Sequence, residues 1–152
     1  MSEANKNRFK YLICENFDDL STHQQALSGY DAFLCALGSR VKNGEETFRK
    51  VDYQYPINFA RLAKQSGVPY YGLCSSIGAK ANSWFLYMKV KGEVERDIAT
   101  IGLAQVDICQ PGFILSREGN DFRPMESIFS YIPIGARIEA SDLGKGMLVR
   151  AI

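Results

Sequence analysis

The chain has 152 residues, 46% of them hydrophobic, and its 18 basic and 17 acidic side chains leave a formal charge of +1. That length and apolar content suit a single domain over residues 1–152, with residues 1–10 as a flexible, solvated tail. The near-cancelled charge argues against a nucleic-acid partner, and no run reaches the roughly 20 apolar residues of a transmembrane segment.

Tyr11 to Cys14 (YLIC) predicts a short first strand. Asp18 to Leu27 predicts an amphipathic helix, with Leu20, Gln24 and Leu27 at helical spacing and Gly29 as its stop. Ala32 to Leu37 (AFLCAL) is a continuous apolar run of strand length, as expected where both faces are covered. It runs into Gly38-Ser39 and a polar segment, Arg40 to Lys50. A second helix is expected over Asp52 to Gln65, because Ile57, Phe59, Ala60 and Ala63 recur on one side and Gly67 ends it; Pro56 disturbs its first turns.

Val68 to Cys74 predicts the next strand, which delivers Ser75 and Ser76 at its carboxyl end. A helix over Ser83 to Ile98 and a strand over Ala104 to Cys109 follow, the latter ending at Gln110-Pro111-Gly112. Further helices are expected at Met125 to Tyr131 and Ser141 to Ile152. Short apolar runs alternating with helices signal a parallel α/β sheet. Cys14, Cys35, Cys74 and Cys109 lie twenty or more residues apart with His23 as the lone histidine, which predicts packed thiols and no metal site. The polar opening Met1 to Asn7 lacks a signal-peptide core, and the expectation is a soluble cytoplasmic protein.

In open parallel sheets, ligands bind outside the carboxyl ends of the strands. Those ends carry Gly38-Ser39, Ser75-Ser76 and Pro111-Gly112. Tyr87 and Lys91 are four apart on a predicted helix, so they share one face within reach of the serines. A phenol titrates near pH 10, too high for efficient proton transfer at neutrality, and a neighbouring ammonium favours the phenolate. Lys91 is placed to supply that charge, Tyr87 to deliver a proton, and Ser75 or Ser76 to hold a carbonyl oxygen. The bland reading is an aromatic core contact beside a solvated lysine, and the strand-Ser-Ser context argues against it.

The stretch SSIGAKANSWFLYMKVKGEVE, from Ser75 to Glu95, resembles the atypical short-chain dehydrogenase/reductases of the Tat-interacting-protein oxidoreductase family. That family pattern is a strand, Ser-Ser, Gly-Ala, a polar spacer, then Phe-x-Tyr-x-x-x-Lys-Gly-Glu-x-Glu. YDAFLCALGSR resembles the family's strand and Leu-Gly-Thr-Thr-Arg turn, KVDYQYPINFARLAKQSGV its next helix, and Leu103 to Leu115 its strand ending in Arg-Pro-Gly. The likeness runs from about Leu12 to Ile152. It implies a Rossmann-like fold with helices on both faces and an NADP-dependent oxidoreductase acting on a small-molecule carbonyl or alcohol. By matching position, it implies Tyr87, Lys91, Ser75 and Ser76 as catalytic. The same matching implies Leu37, Gly38, Tyr87, Lys91, Pro111, Gly112 and Arg123 as cofactor contacts. It also implies regulatory or nuclear-transport protein partners and a nuclear location beside the cytoplasmic one. The rival expectation is a non-catalytic regulatory binding module derived from the same family.

Three departures stand out. Gln110 replaces the arginine of Arg-Pro-Gly, Ser39-Arg40 replaces a longer Thr-Thr-Arg turn, and the family's opening strand, Gly-x-Gly-x-x-Gly turn and helix have no counterpart here. The expectation is an N-terminally truncated sheet with weakened NADP(H) affinity, because that turn brings backbone amides to the pyrophosphate. Phe122, Met125 and Phe129 are apolar enough to line a substrate pocket in the variable carboxyl-terminal third.

Overall fold

The computed structural model describes residues 10–115 and 137–152. Its centre is a parallel three-stranded sheet in the order β1 (Ala32–Cys35), β2 (Tyr70–Cys74), β3 (Gln105–Cys109). Phe33 faces Tyr71, and Tyr71 faces Val106. All of β2 is buried, which explains why YYGLC reads as unbroken apolar sequence without alternation. A small parallel pair, β4 (Phe113–Leu115) and β5 (Arg137–Glu139), follows; its strands are too short to stand out in the sequence.

The crossover from β1 to β2 contains α1 (Glu45–Arg49), a π-helical turn (Lys50–Gln54) and α2 (Tyr55–Gln65) in one run. The helix thus begins inside the polar segment and upstream of its expected start at Asp52. Pro56 has no N–H to give the preceding turn, and the wider π turn accommodates it without breaking the run. Gly67, at φ +69°, ends α2 as expected. The second crossover carries α3 (Leu86–Ala99), and the chain ends in α4 (Ala140–Arg150).

Phe33, Cys35, Tyr71 and Leu73 on one sheet face pack with Ile57, Ala60, Ala63, Val94 and Ile98 of α2 and α3. Burying each of the larger aliphatic or aromatic side chains contributes about 1.5–3 kcal/mol. On the other face Leu143 and Met147 of α4 close over Cys74, with Leu34 and Cys109 against them. Helices therefore cover both faces, as the resemblance implies. The four cysteines are free thiols, and among the described residues no group of side chains is arranged to hold a metal.

Two expected elements are absent. Tyr11 to Cys14 forms no strand; Tyr11 and Ile13 are 92% and 84% exposed, and no sheet edge pairs with them. Asp18 to Leu27 forms a single 3-10 turn at Ser21–His23 in place of an α-helix. There Asn16 Oδ1 accepts the Asp18 amide and Asp19 Oδ1 the Ser21 amide, both at 2.9 Å, and such local bonds compete with helical ones. The expected helix at Met125 to Tyr131, and Phe122, Arg123, Met125 and Phe129, lie outside the described residues.

Candidate active site

The strand ends converge as the sheet topology requires. The Ser75 amide donates to the Cys109 carbonyl at 2.7 Å and the Ile77 amide to the Pro111 carbonyl at 2.9 Å, which ties the Ser75-Ser76 turn to Pro111-Gly112. Ser75 and Ser76 are each 5% exposed. The Ser76 hydroxyl donates to the Ile77 carbonyl at 3.3 Å, whereas the buried Ser75 Oγ has no hydrogen-bond partner among the described residues. Leaving a buried hydroxyl unpaired costs about 1–3 kcal/mol, so Ser75 Oγ marks a place where a polar ligand atom would be welcome.

From Ser76 the chain folds back onto α3. The Lys80 amide donates to the Met88 carbonyl at 2.9 Å, and Gly92 lets the backbone of Lys80 and Ala81 approach the helix closely. A Cβ at Gly92 would stand 2.2 Å from the Ala81 nitrogen, so glycine is required for this approach. The loop thereby holds the serine turn against the helix that carries Tyr87 and Lys91.

α3 runs alongside α1 and the π turn through four paired side-chain contacts. The Tyr87 ring stacks on Phe48 with centroids 5.8 Å apart. Lys91 Nζ meets Asp52 Oδ1 at 2.8 Å, Arg49 meets Glu93 at 2.8 Å, and the Tyr53 hydroxyl donates to Asp97 at 2.8 Å. Lys91 is therefore no solvated surface lysine: its side chain is 6% exposed, and that of Asp52 is 1%. The second oxygen of Asp52 accepts the Ser39 amide at 2.6 Å, which brings the Gly38-Ser39 turn into the same cluster. The Ser39 hydroxyl, like that of Ser75, is buried without a partner among the described residues.

Asp52 did not emerge from motif reading. Its signal is the stripe Phe48, Asp52, Pro56, Ala60, in which every fourth residue is buried and one of them is charged. Gln110 also finds a use: its amide donates to both oxygens of Glu95, at 3.0 and 2.9 Å, and so ties the end of β3 to α3. Leu37 packs half-buried against the main core. Burial pushes the Cys35 thiol upward in pKa, partly opposed by its hydrogen bonds with Leu37 and Tyr71.

No protein-family model matches the chain. It is 37% identical to rat Protein HTATIP2 over 112 residues, covering 73% of this chain and 46% of that protein. It is 38% identical to the mitochondrial Protein FMP52 of Candida albicans over 133 residues, covering 80% and 58%, and 36% identical to the Lodderomyces elongisporus FMP52 over 143 residues, covering 84% and 60%. The chain spans about half the length of these curated relatives. Among solved structures, the crystal structure of gox2253 superposes with TM-score 0.65 at 17% identity over 88% of this chain and 50% of that one. A putative NAD-dependent epimerase/dehydratase from Bacillus halodurans gives 0.53 at 18% identity over 71% and 51%. These two likenesses show the α/β, Rossmann-like fold class.

The expected cytoplasmic and nuclear location is overturned by the fungal relatives, which are named mitochondrial proteins. Composition is a poor guide here, because balanced charge and the lack of a long apolar run are compatible with many compartments. Among the described residues no helix is long and apolar enough to cross a membrane.

Proposed function

Because the chain belongs to the atypical short-chain dehydrogenase/reductase family of HTATIP2 and FMP52, we propose that it is an NADP-dependent oxidoreductase that interconverts a small carbonyl compound and its alcohol. The observation that carries this reading is the Ser75 hydroxyl, buried and unpartnered at the end of β2, with the Tyr87 helix held against its turn. A hydroxyl in that state can donate to a carbonyl oxygen at no cost in other bonds. Ser75 holds the substrate oxygen, Tyr87 gives it a proton, and Lys91 sets the charge on that side of the helix. Ser76, already bonded to the Ile77 carbonyl, shapes the turn.

The residues present fit the nicotinamide and ribose portion of a dinucleotide: two orphaned hydroxyls, Ser39 Oγ and Ser75 Oγ, stand at neighbouring strand ends, with Gly38 and Pro111-Gly112 beside them. Leu37, Gly38, Tyr87, Lys91, Pro111 and Gly112 would hold it. When bound, the reduced nicotinamide supplies hydride, and the chain supplies the proton and the oxygen site.

The test is NADPH-dependent reduction of a panel of small aldehydes and ketones, with NADPH binding followed by calorimetry. Tyr87→Phe should cut turnover by about 10²–10⁴-fold, a far larger loss than any in NADPH binding, because the ring stays and only the hydroxyl goes. Undiminished turnover in that variant sinks the catalytic assignment. The second reading, a non-catalytic binding module, draws support from the aromatic pair that opens α3, where Trp84 is 101% and Phe85 56% exposed. On that reading the parent chain reduces nothing, and Trp84→Ala, not Tyr87→Phe, weakens partner binding.

A further inference from the structure

The sheet face turned away from α2 and α3 carries a pair of thiols that the proposed chemistry does not use. Cys74, the last residue of β2, and Cys109, the last residue of β3, are register partners. Cys74 is 8% exposed beneath Leu143 and Met147 of α4, and the half-buried Cys109 packs against the same cluster, so both side chains lie on one face. Adjacent strands run about 4.8 Å apart, and the α-carbons of a disulfide stand roughly 4.4–6.8 Å apart. The pair can therefore be bridged without refolding.

The two thiols sit directly behind the strand ends of the candidate active site. Ser75 follows Cys74, Gln110-Pro111-Gly112 follows Cys109, and the Ser75 amide donates to the Cys109 carbonyl at 2.7 Å. A disulfide brings its β-carbons to about 3.8 Å, roughly 1 Å closer than the spacing of adjacent strands. Bridging thus draws β2 and β3 together at the point where the Ser75 hydroxyl and the Pro111-Gly112 turn begin. Displacing a reacting group by about 1 Å costs about 100-fold in rate. A bridge under such strain is also readily reduced again, as labile, regulatory disulfides are. The other two cysteines lack this arrangement: Cys35 lies on the opposite sheet face with Leu73 as its register partner, and Cys14 lies outside the sheet.

We propose that Cys74 and Cys109 are a peroxide-sensitive dithiol whose reversible oxidation to a disulfide clips the ends of β2 and β3 and switches the site off. The more exposed Cys109 sulfur attacks one oxygen of hydrogen peroxide: an S–O bond forms, the O–O bond breaks, and one water leaves, so that the sulfur becomes a sulfenic acid. The Cys74 sulfur then attacks the Cys109 sulfur; the S–S bond forms, the S–O bond breaks, and the hydroxyl leaves with the thiol proton as a second water. The two thiols together lose two electrons, which the peroxide takes up. A dithiol reductant reverses the step by thiol–disulfide exchange. The loss of turnover rests on the oxidoreductase reading of the site, whereas formation of the bridge does not.

Two measurements on the whole chain test this. The first needs no activity: the reduced protein is treated with hydrogen peroxide, unfolded, alkylated at its remaining thiols, digested and read by mass spectrometry. Cys74 and Cys109 should appear as one cross-linked pair, with Cys14 and Cys35 alkylated, and dithiothreitol should return all four thiols. Cys109→Ala should give no cross-link, and Cys109→Ser serves if the alanine variant does not fold. In ¹H–¹⁵N spectra, oxidation of the parent should shift the Ser75 amide, whose acceptor is the Cys109 carbonyl. The second is kinetic: oxidation should lower carbonyl reduction by about 100-fold and dithiothreitol should restore it, while Cys109→Ala keeps through peroxide treatment the rate it had before. Thiols that serve only as packing would form no cross-link. Absence of the cross-link, a bridge to Cys14 or Cys35 in its place, an unmoved Ser75 amide, or full turnover in the bridged form overturns the proposal. If the reduced parent reduces no carbonyl, the oxidoreductase reading fails, and the cross-link and the Ser75 amide alone decide whether the dithiol clips the strand ends.

Discussion

Replacing Gly92 by alanine reverses the usual outcome of a helix substitution. Within a helix, Gly→Ala gains about 1 kcal/mol, because alanine loses less backbone freedom on folding. At Gly92 the new Cβ would stand 2.2 Å from the Ala81 nitrogen, 2.3 Å from the Lys80 carbonyl carbon and 2.5 Å from the Lys80 nitrogen. All three are backbone atoms, so no side-chain rotation relieves the contact. Overpacking of this kind costs about 1–3 kcal/mol, and displacing the loop also breaks the bond from the Lys80 amide to the Met88 carbonyl, worth about 1 kcal/mol. Against the propensity gain, the expected net is a loss of about 1–3 kcal/mol. Gly144 and Gly146 in α4 are the internal control, since among the described residues nothing lies within 4 Å of a Cβ at either. Alanine there should stabilise by about 0.5–1 kcal/mol per site. Urea unfolding of the three variants gives the answer; stabilisation by Gly92→Ala equal to that at Gly144 would refute the close approach that holds the serine turn.

Phe48→Leu keeps the buried volume roughly filled but removes the ring under Tyr87, and should cost about 0.5–1.5 kcal/mol beyond the packing change by denaturant unfolding. Burial first, and then Cys35, pushes the Tyr71 phenol well above its ordinary value, so the fold favours the neutral form. The resulting stability is fully present below about pH 10, the unfolded value, and drains away as pH rises beyond it. Tyr71→Phe should flatten that alkaline limb in a pH series of melts, while at neutral pH it loses about 1 kcal/mol with the bond to the Pro56 carbonyl. The Arg150 hydrogen bond holds the Asp107 carboxyl below the usual range, a contribution present above about pH 4 and lost as pH falls through the lowered value. Arg150→Gln should therefore move the acid unfolding midpoint to higher pH, and an unchanged midpoint would count against that pairing.

Strand and helix identity was legible in the sequence where burial is complete. β2 came out within two residues of its observed start, and α3 within three, because an unbroken apolar run and a 3.6-residue period leave little choice; β3, QVDIC and only partly buried, came out within one. The family was legible too, because Ser75-Ser76, Tyr87, Lys91 and Gly92 stand at spacings that a local strand, loop and helix impose. Asp18 to Leu27 failed for the opposite reason: its period was weak, and the Asn16 and Asp19 side chains captured the amides that a helix would have used.

What only the tertiary structure decided is the company Lys91 keeps. From sequence it was a cation one turn beyond Tyr87; in the fold it is buried against Asp52, a residue 39 positions earlier (91 − 52), whose other oxygen holds the Ser39 amide. The 3.6-residue period of a helix predicts neighbours three and four residues away, so the sequence by itself determined the helix, the face and the family. Side-by-side packing of two crossover helices on one sheet face brings distant charges into contact, and a carboxylate in that interior persists only where such partners meet it.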